Sequence, residues 1–454
     1  MSDTIAAIAT GTGISAIGII RVSGEDALSV ADALFTPSCG GKMSEMPDRK
    51  LVYGGLHATD GALIDIALCT VSRAPGSYTG EDTAEFQCHG GQRVLAEVLR
   101  AAFSAGARQA LPGEFTKRAF LNGRLDLTQA EAVIDLIEAE TSEAAKNAAG
   151  QLGGAIRYKA EGIYSELVDI MSHFHAVLDY PDEDIDEFRL EDYSETLSRA
   201  EIELGRLLST FERGRVLKNG VRCAIIGKPN VGKSSLLNAL VGYDRAIVTD
   251  IAGTTRDTIT ERISAGGVLL CLTDTAGIHG TSDEVEKMGV ERARAAAAEA
   301  ELVLAVFDGS RSLDDADREI VAVAGTSGHP IAVINKRDLP EADMGMVESA
   351  FKDVCRVSSL SGDGIDTLEA RISEIFAGGA PASGEILTNE RQAEAVARAL
   401  DGVVRAREAM LGGVTPDAVL TEVEYALGAL GEITGRGMRE DIVSRIFERF
   451  CVGK

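Results

Sequence analysis

Gly227-Lys228-Pro229-Asn230-Val231-Gly232-Lys233-Ser234 follows the apolar run Val221-Arg222-Cys223-Ala224-Ile225-Ile226 and precedes Ser235-Leu236-Leu237-Asn238-Ala239-Leu240. The first run reads as a buried strand and the last as a helix start. Between them stands G-x-x-x-x-G-K-S, in the strand–loop–helix setting that gives the pattern its meaning. Glycine lets backbone N–H groups turn inward and approach phosphate oxygens, and the helix N-terminus behind them favours an anion. Asn230, Val231, Gly232, Lys233, Ser234 and Ser235 are therefore the phosphate-facing set. Lys233 is placed for the β- and γ-phosphates and the Ser234 hydroxyl for Mg²⁺.

Two later motifs extend the site. Val268-Leu269-Leu270-Cys271-Leu272-Thr273 reads as a strand ending in Asp274-Thr275-Ala276-Gly277. An Asp at that end suits Mg²⁺ and the Gly277 amide suits a γ-phosphate. Ile331-Ala332-Val333-Ile334 is a further strand, ending in Asn335-Lys336-Arg337-Asp338. The Asp338 carboxylate can accept from guanine N1–H and N2–H₂, whereas adenine would leave it unpaired. Ser358, Ser359 and Leu360, after Val357, supply the base loop. Motifs in this order at strand ends specify a GTPase on a Ras-like α/β sheet. Thr249-Asp250-Ile251-Ala252-Gly253-Thr254-Thr255 lies where a phosphate-sensing switch belongs, with Thr255 as the second protein hydroxyl on Mg²⁺.

Ile278 stands where a Ras-type enzyme carries its water-orienting Gln, and an apolar side chain cannot orient water. Asp283, Glu284 and Glu286 are the carboxylates at hand in the following segment. Asn230 can instead ligate a monovalent cation beside the β- and γ-phosphates, offsetting developing charge.

The 454 residues carry a net charge of −26, which argues against a general nucleic-acid-coating protein. The charge is uneven. Residues 1–120 and 377–454 are each net −3, residues 216–376 are −8, and residues 121–215 are −12, with Asp182-Glu183-Asp184-Ile185-Asp186-Glu187 as a solvated acidic run. Seven cysteines without a C-x-x-C pair do not read as a disulfide framework or zinc ribbon. Met1-Ser2-Asp3-Thr4 lacks a basic signal-peptide start, and no apolar run reaches the roughly 18–20 residues of a membrane span. The expectation is a cytoplasmic protein with no membrane partner.

Four stretches follow from composition and period. Residues 1–120 hold short β-branched runs, such as Ile17–Val22 and Ile64–Cys69, with helices near 25–34 and 92–105, an α+β domain. Residues 121–215 turn helical, with Leu127, Ala130, Val133, Ile134 and Ile137 at three- and four-residue spacing. Strand–helix alternation fills 216–376, and Gly378-Gly379-Ala380-Pro381 marks a linker. Residues 377–454 are helical again, with Ala393, Val396, Ala397, Leu400 and Val404 on one stripe. We read 121–215 and 377–454 as one discontinuous helical domain interrupted by the G domain, with two separate bundles as the alternative.

Residues outside the G domain carry a family resemblance. Asp3–Thr10, Gly18–Gly24, Pro75-Gly76-Ser77-Tyr78-Thr79-Gly80-Glu81-Asp82, Pro112–Phe120 and the final Cys451-Val452-Gly453-Lys454 resemble the tRNA-modification GTPases of the MnmE (TrmE) family across nearly the whole chain. The resemblance implies an N-terminal domain that dimerises and binds 5-formyl- or 5,10-methylene-tetrahydrofolate through Arg21, Glu85, Arg124 and Lys454. It implies K⁺ on Asn230, Thr249, Ile251 and Thr254, Mg²⁺ on Ser234 and Thr255, and Glu286 as the group that activates water. It further implies a homodimer working with an FAD-dependent MnmG-type partner, in a heterotetramer or larger complex. Their product is an aminomethyl or carboxymethylaminomethyl group on C5 of the wobble uridine of certain tRNAs. A regulatory GTPase that only binds RNA or ribosomal partners is the alternative.

The chain departs from the family at Gly11–Ala16, where Pro and more Gly are usual, at Arg124, where Lys also occurs, and at Leu360, which replaces the usual Lys beside the guanine face. Cys451 is the one cysteine whose setting suggests chemistry; a packing role is the plainer reading. Cys223 and Cys271 read as core residues, and His89 as a hydrogen-bonding residue. Arg391, Arg398 and Arg405 share a helix face, where Glu394 and Asp401 make favourable i,i+4 partners.

Overall fold

The computed structural model describes residues 3–11, 13–180, 188–243, 261–272, 294–376, 378, 384–438, 440–448 and 450–453. These form two compact units, one of Met1–Ile134, Ile156–Asp169 and Leu427–Lys454, the other of Asp135–Ala155 and Ile170–Ala426.

The first unit is built on seven strands, β1 Ile5–Ile8, β2 Ile17–Ser23, β3 Phe35–Pro37, β4 Val52–His57, β5 Leu63–Ser72, β6 Thr83–His89 and β7 Arg108–Gln109. Their order in the sheet is β3-β4-β5-β6-β2-β1-β7. All neighbours are antiparallel except the short β1–β7 pair. Side-chain alternation divides the faces. Ala67, Cys69 and Val71 of β5, Ala84 and Phe86 of β6, and Ile20 and Val22 of β2 point to one side. There they bury the apolar stripes of helices Ala27–Leu34 and Gln92–Ser104, through Val30, Leu34, Leu95 and Val98. On the other face Ile5 and Ala7 pack with Ala110 and Phe115. A helical cluster completes the unit: Leu127 and Ala130 meet Val443, Phe447 and Phe450, residues from opposite ends of the sequence.

The second unit contains β8 Val221–Ile226, β9 Glu261–Ala265, β10 Val268–Leu272, β11 Leu302–Asp308, β12 His329–Asn335 and β13 Asp353–Arg356. The order is β13-β12-β11-β8-β10-β9. Every pair is parallel except the β9–β10 hairpin. Both β10 and β11 are buried along their whole length, as parallel strands covered on two faces must be. Helices Lys233–Tyr243 and Ile365–Phe376 cover one face, and Asp315–Ala324 and Gly345–Ala350 the other. Each fully buried Leu or Ile in these layers contributes about 1.5–3 kcal/mol. This is the P-loop, Ras-like architecture expected from the motifs.

Helical segments from both sides of that sheet meet in the same unit. Helix Ser194–Ser209 packs along Glu390–Leu411, with Arg407 Nε donating to Glu201 Oε2 at 2.5 Å. Asn147 Nδ2 donates to the Ile386 carbonyl at 3.1 Å, and Asn147 Oδ1 accepts from Gly384 N at 3.0 Å. A Cβ on Gly214 would lie 1.7 Å from the Leu387 carbonyl oxygen, so only glycine allows that approach. The helical domain is discontinuous, with the G domain inserted. No helix among the described residues is long and apolar enough to cross a membrane.

Candidate functional site

The phosphate loop leaves β8 and enters helix Lys233–Tyr243 through three left-handed residues, Gly227 (φ +154°), Asn230 (φ +61°) and Gly232 (φ +101°). A Cβ on Gly232 would sit 2.2 Å from Asn335 Nδ2, and one on Gly227 2.5 Å from the Val306 carbonyl oxygen. Lys233 lies across the loop, its Nζ donating to the carbonyls of Gly227 (2.8 Å) and Lys228 (2.9 Å). Burial lowers its pKa from the usual lysine value. Both carbonyls compete weakly with an anion for that ammonium, so a phosphate can capture it. Ser234 is half-buried in the first turn of the helix, while Asn230 and Ser235 are exposed.

The base motif is tied to this loop by one side chain. Asn335, at the end of β12, donates from Nδ2 to the Val231 carbonyl at 2.9 Å. Its Oδ1 accepts from Ser359 N (3.0 Å) and Ser359 Oγ (2.9 Å). Ser358 Oγ donates to Asp338 Oδ1 at 2.6 Å, which orients the carboxylate proposed to read guanine. Lys336 takes a left-handed φ of +66°, and its Nζ donates to Asp308 Oδ2 at 2.6 Å. Leu360 is 89% exposed. Asp308 was not singled out in the sequence; its signal was an acidic residue ending the buried β11 run.

Thr249, Asp250, Ile251, Ala252, Gly253, Thr254, Thr255, Asp274, Thr275, Ala276, Gly277, Glu286 and Lys454 lie outside the described residues.

In the first unit, Arg21 of β2 stands opposite Glu85 of β6 in register, and its Nε donates to Glu85 Oε1 at 2.8 Å. The Arg21 guanidinium also lies 5.4 Å from the Tyr78 ring centre and 5.7 Å from that of Phe115. Thr70 of β5 pairs with Glu85 on its other side, so Thr70, Glu85, Arg21 and Ala7 form one row across the sheet. Thr70 Oγ1 is buried with no hydrogen-bond partner among the described residues. Tyr78 Oη is 2.9 Å from Thr116 Oγ1, and burial raises its pKa. Exposed Arg124 lies against Gly80, its Cγ 3.2 Å from where a Gly80 Cβ would be. Tyr78, Phe115 and Thr70 were not singled out; rings inside the Pro75–Asp82 and Pro112–Phe120 segments were the available signal.

The C-terminal segment closes on the same face. Val452 bridges Pro112, and Gly113 N donates to the Cys451 carbonyl at 3.2 Å. Gly453 (φ +99°) touches β1 so closely that a Cβ would lie 2.2 Å from the Ile8 carbonyl oxygen. These contacts fix the start of helix Glu114–Leu121, which carries Phe115 under Arg21. Cys451 is exposed, whereas Cys223 and Cys271 are buried. His89 Nδ1 is 2.9 Å from Asp65 Oδ1, the hydrogen bond expected of it. Arg405 pairs with Asp401 at 3.3 Å and with Glu422 at 3.0 Å.

Residues 4–124 match the family described as GTP-binding protein TrmE N-terminus, and residues 127–451 the MnmE helical domain. A tRNA modification GTPase MnmE of Symbiobacterium thermophilum is 44% identical over 455 residues, covering 100% of this chain and 99% of the relative. The protein of that name from Roseiflexus sp. is 44% identical with the same coverages, and that of Acetivibrio thermocellus 42% identical, again covering 100% and 99%. Among solved structures, the G domain of the T. maritima FeoB iron transporter aligns at 25% identity over 34% of this chain and 97% of its own, with a TM-score of 0.25. With the phosphate and base loops formed as described and full-length identity above 40%, the chain belongs to the MnmE family of tRNA modification GTPases.

Proposed function

We propose that this GTP hydrolase of tRNA modification depends on K⁺ and works as a homodimer with an FAD-dependent MnmG-type partner. It adds an aminomethyl or carboxymethylaminomethyl group to C5 of the wobble uridine, in the cytoplasm, from a tetrahydrofolate one-carbon unit. Residues 1–120 would bind folate and dimerise, 216–376 hydrolyse GTP, and 121–215 with 377–454 carry the helical domain.

The observation that carries the folate reading is the row Thr70–Glu85–Arg21, flanked by the Tyr78 and Phe115 rings. A planar heterocycle with ring N–H and amino donors would meet the free oxygen capacity of Glu85. Arg21 would hold Glu85 in place for that ring, and the distant glutamyl-type anion would meet Arg124 and Lys454. The buried, unsatisfied Thr70 Oγ1 is consistent with a polar ligand on this face. When bound, folate supplies the one-carbon unit; the chain's part is to orient its ring.

In the G domain, Asn335, Lys336 and Asp338 with Ser358, Ser359 and Leu360 hold the base, and Lys233 the phosphates. Ser234 and Thr255 would hold Mg²⁺, and Asn230, Thr249, Ile251 and Thr254 would hold K⁺. When bound, these ions offset charge on the phosphates. Glu286 would orient the attacking water. Cys451 is assigned to positioning.

Titrating the purified protein with 5-formyltetrahydrofolate tests the reading, alongside GTP hydrolysis in K⁺ and Na⁺ buffers. Binding, together with hydrolysis in K⁺ that collapses in Na⁺, is the expected result. A folded protein that hydrolyses GTP without binding folate would instead be the regulatory GTPase. Loss of modified wobble nucleosides in cells lacking the protein, read by mass spectrometry, checks the reaction itself.

A further inference from the structure

The segment after β11 gathers the lysines of both nucleotide motifs. Asp308 Oδ2 accepts from Lys336 Nζ of the base motif at 2.6 Å, and Asp308 Oδ1 accepts from Ser310 Oγ at 2.6 Å. A few residues further on, helix Asp315–Ala324 opens with a reciprocal cap. Asp314 Oδ1 accepts from Ala316 N (3.0 Å) and Asp317 N (3.2 Å), and Asp317 Oδ2 accepts from Asp314 N (3.0 Å). Lys228 of the phosphate loop ends in this cap, its Nζ 2.7 Å from both Asp314 Oδ2 and Asp317 Oδ2. The Asp317 side chain is only 4% exposed, so the pair is shielded from water on the carboxylate side.

The loop needs such a hold. Gly227 and Gly232 take up left-handed conformations without steric cost, and the same freedom leaves the loop backbone more entropy to lose when it is ordered. Asn335 fixes the later half of the loop through the Val231 carbonyl. The earlier half is held by Lys233 Nζ on the carbonyls of Gly227 and Lys228. When Lys233 turns to a phosphate, it releases those carbonyls. The side chain of Lys228, anchored on Asp317, then remains to keep the first half of the loop in place.

We propose that Asp308–Asp317 is an acidic brace joining the phosphate loop to the base motif, with Lys228 and Asp317 as positioning residues for bound nucleotide. This rests on Gly227–Ser234 being the phosphate loop. Neither side chain is assigned a contact with GTP; each acts through the loop backbone.

The test is the dissociation rate of a fluorescent GDP from the full-length protein at fixed K⁺ and Mg²⁺. Lys228→Met should speed release about tenfold, the loss of one charged hydrogen bond's worth of placement. Lys228→Arg should stay within about threefold of wild type, because it keeps the charge. Lys228→Met leaves Asp317 buried and unpaired, so the double variant Lys228→Met/Asp317→Asn removes both charges together and protects the fold. If the pair acts as a unit, release from the double variant matches that from Lys228→Met rather than the product of the two single effects. Wild-type release from a folded double variant overturns the brace, as do multiplying single effects. A wild-type protein that fails to bind GDP overturns the phosphate-loop assignment instead.

Discussion

Asn335 reaches out of the base motif to donate a 2.9 Å hydrogen bond to the carbonyl of Val231 in the phosphate loop, while its own oxygen holds Ser359. Three loops from three strand ends thus share one side chain that is 2% exposed. Asn335→Ala should lower GDP affinity at least about tenfold and cost about 1–3 kcal/mol of stability, since it leaves the buried Val231 carbonyl and the half-buried Ser359 without their partner. Equilibrium titration with GDP and thermal unfolding of the same variant check both.

Gly453 is the tightest point of the C-terminal closure. Gly453→Ala places a methyl carbon against the Ile8 carbonyl and forces a left-handed φ on an L-residue. The C-terminal segment should detach, exposing Phe450, which is 6% exposed in the closed form. Limited proteolysis and binding of a hydrophobic dye read this directly, with faster cleavage and stronger dye fluorescence expected. Cys451→Ser, by contrast, should leave the closure intact, because the described contacts of that residue run through its backbone.

Thr70→Val exchanges a buried, unsatisfied hydroxyl for a methyl group of the same shape. Without ligand the variant should be as stable as the wild type or more so, by up to about 1–2 kcal/mol. Chemical denaturation midpoints at equal m-value decide it.

Burial opposes the charge on Asp308, but hydrogen bonds from Lys336 and Ser310 prevail and hold its pKa below the usual aspartate value. A carboxylate whose folded pKa is depressed stabilises the fold above its unfolded pKa, about 3.9, and loses that contribution as pH falls through the lower folded value. Asp308→Asn should therefore be less stable than wild type at pH 7 and approach it below about pH 4. Thermal midpoints across that range measure the convergence.

The G domain was legible because each motif is local. A strand, a loop of fixed chemistry and a helix follow one another within some twenty residues, and the parallel strands announce themselves as continuous apolar runs such as Leu302–Phe307. What joins the motifs was not legible. Asn335 and Val231 are 104 residues apart, and Lys228 and Asp317 are 89 apart. Period identifies a strand, but sheet order and register choose its partners. The same limit hid the Arg21 surroundings. Alternation placed Ile17–Val22 in a strand, yet nothing in it says that Arg21 faces Glu85 or that Phe115 comes beneath it. Helical period likewise finds the stripe of Ala393 and Val396, while nothing in it marks Gly214 as the place where the Leu387 carbonyl comes close.

The meeting of Leu127 with Phe447, and of Asn147 with Ile386 across 239 residues, makes the inserted G domain an excursion that starts and ends among packed neighbours. The peptide chain is therefore not what holds the outer segments together. A single cut at the Gly266-Gly267 hairpin turn would yield two fragments that stay associated, the first supplying Leu127 and Asn147 and the second Phe447 and Ile386. Co-expressed halves should complement one another, with the nucleotide sheet itself as the seam.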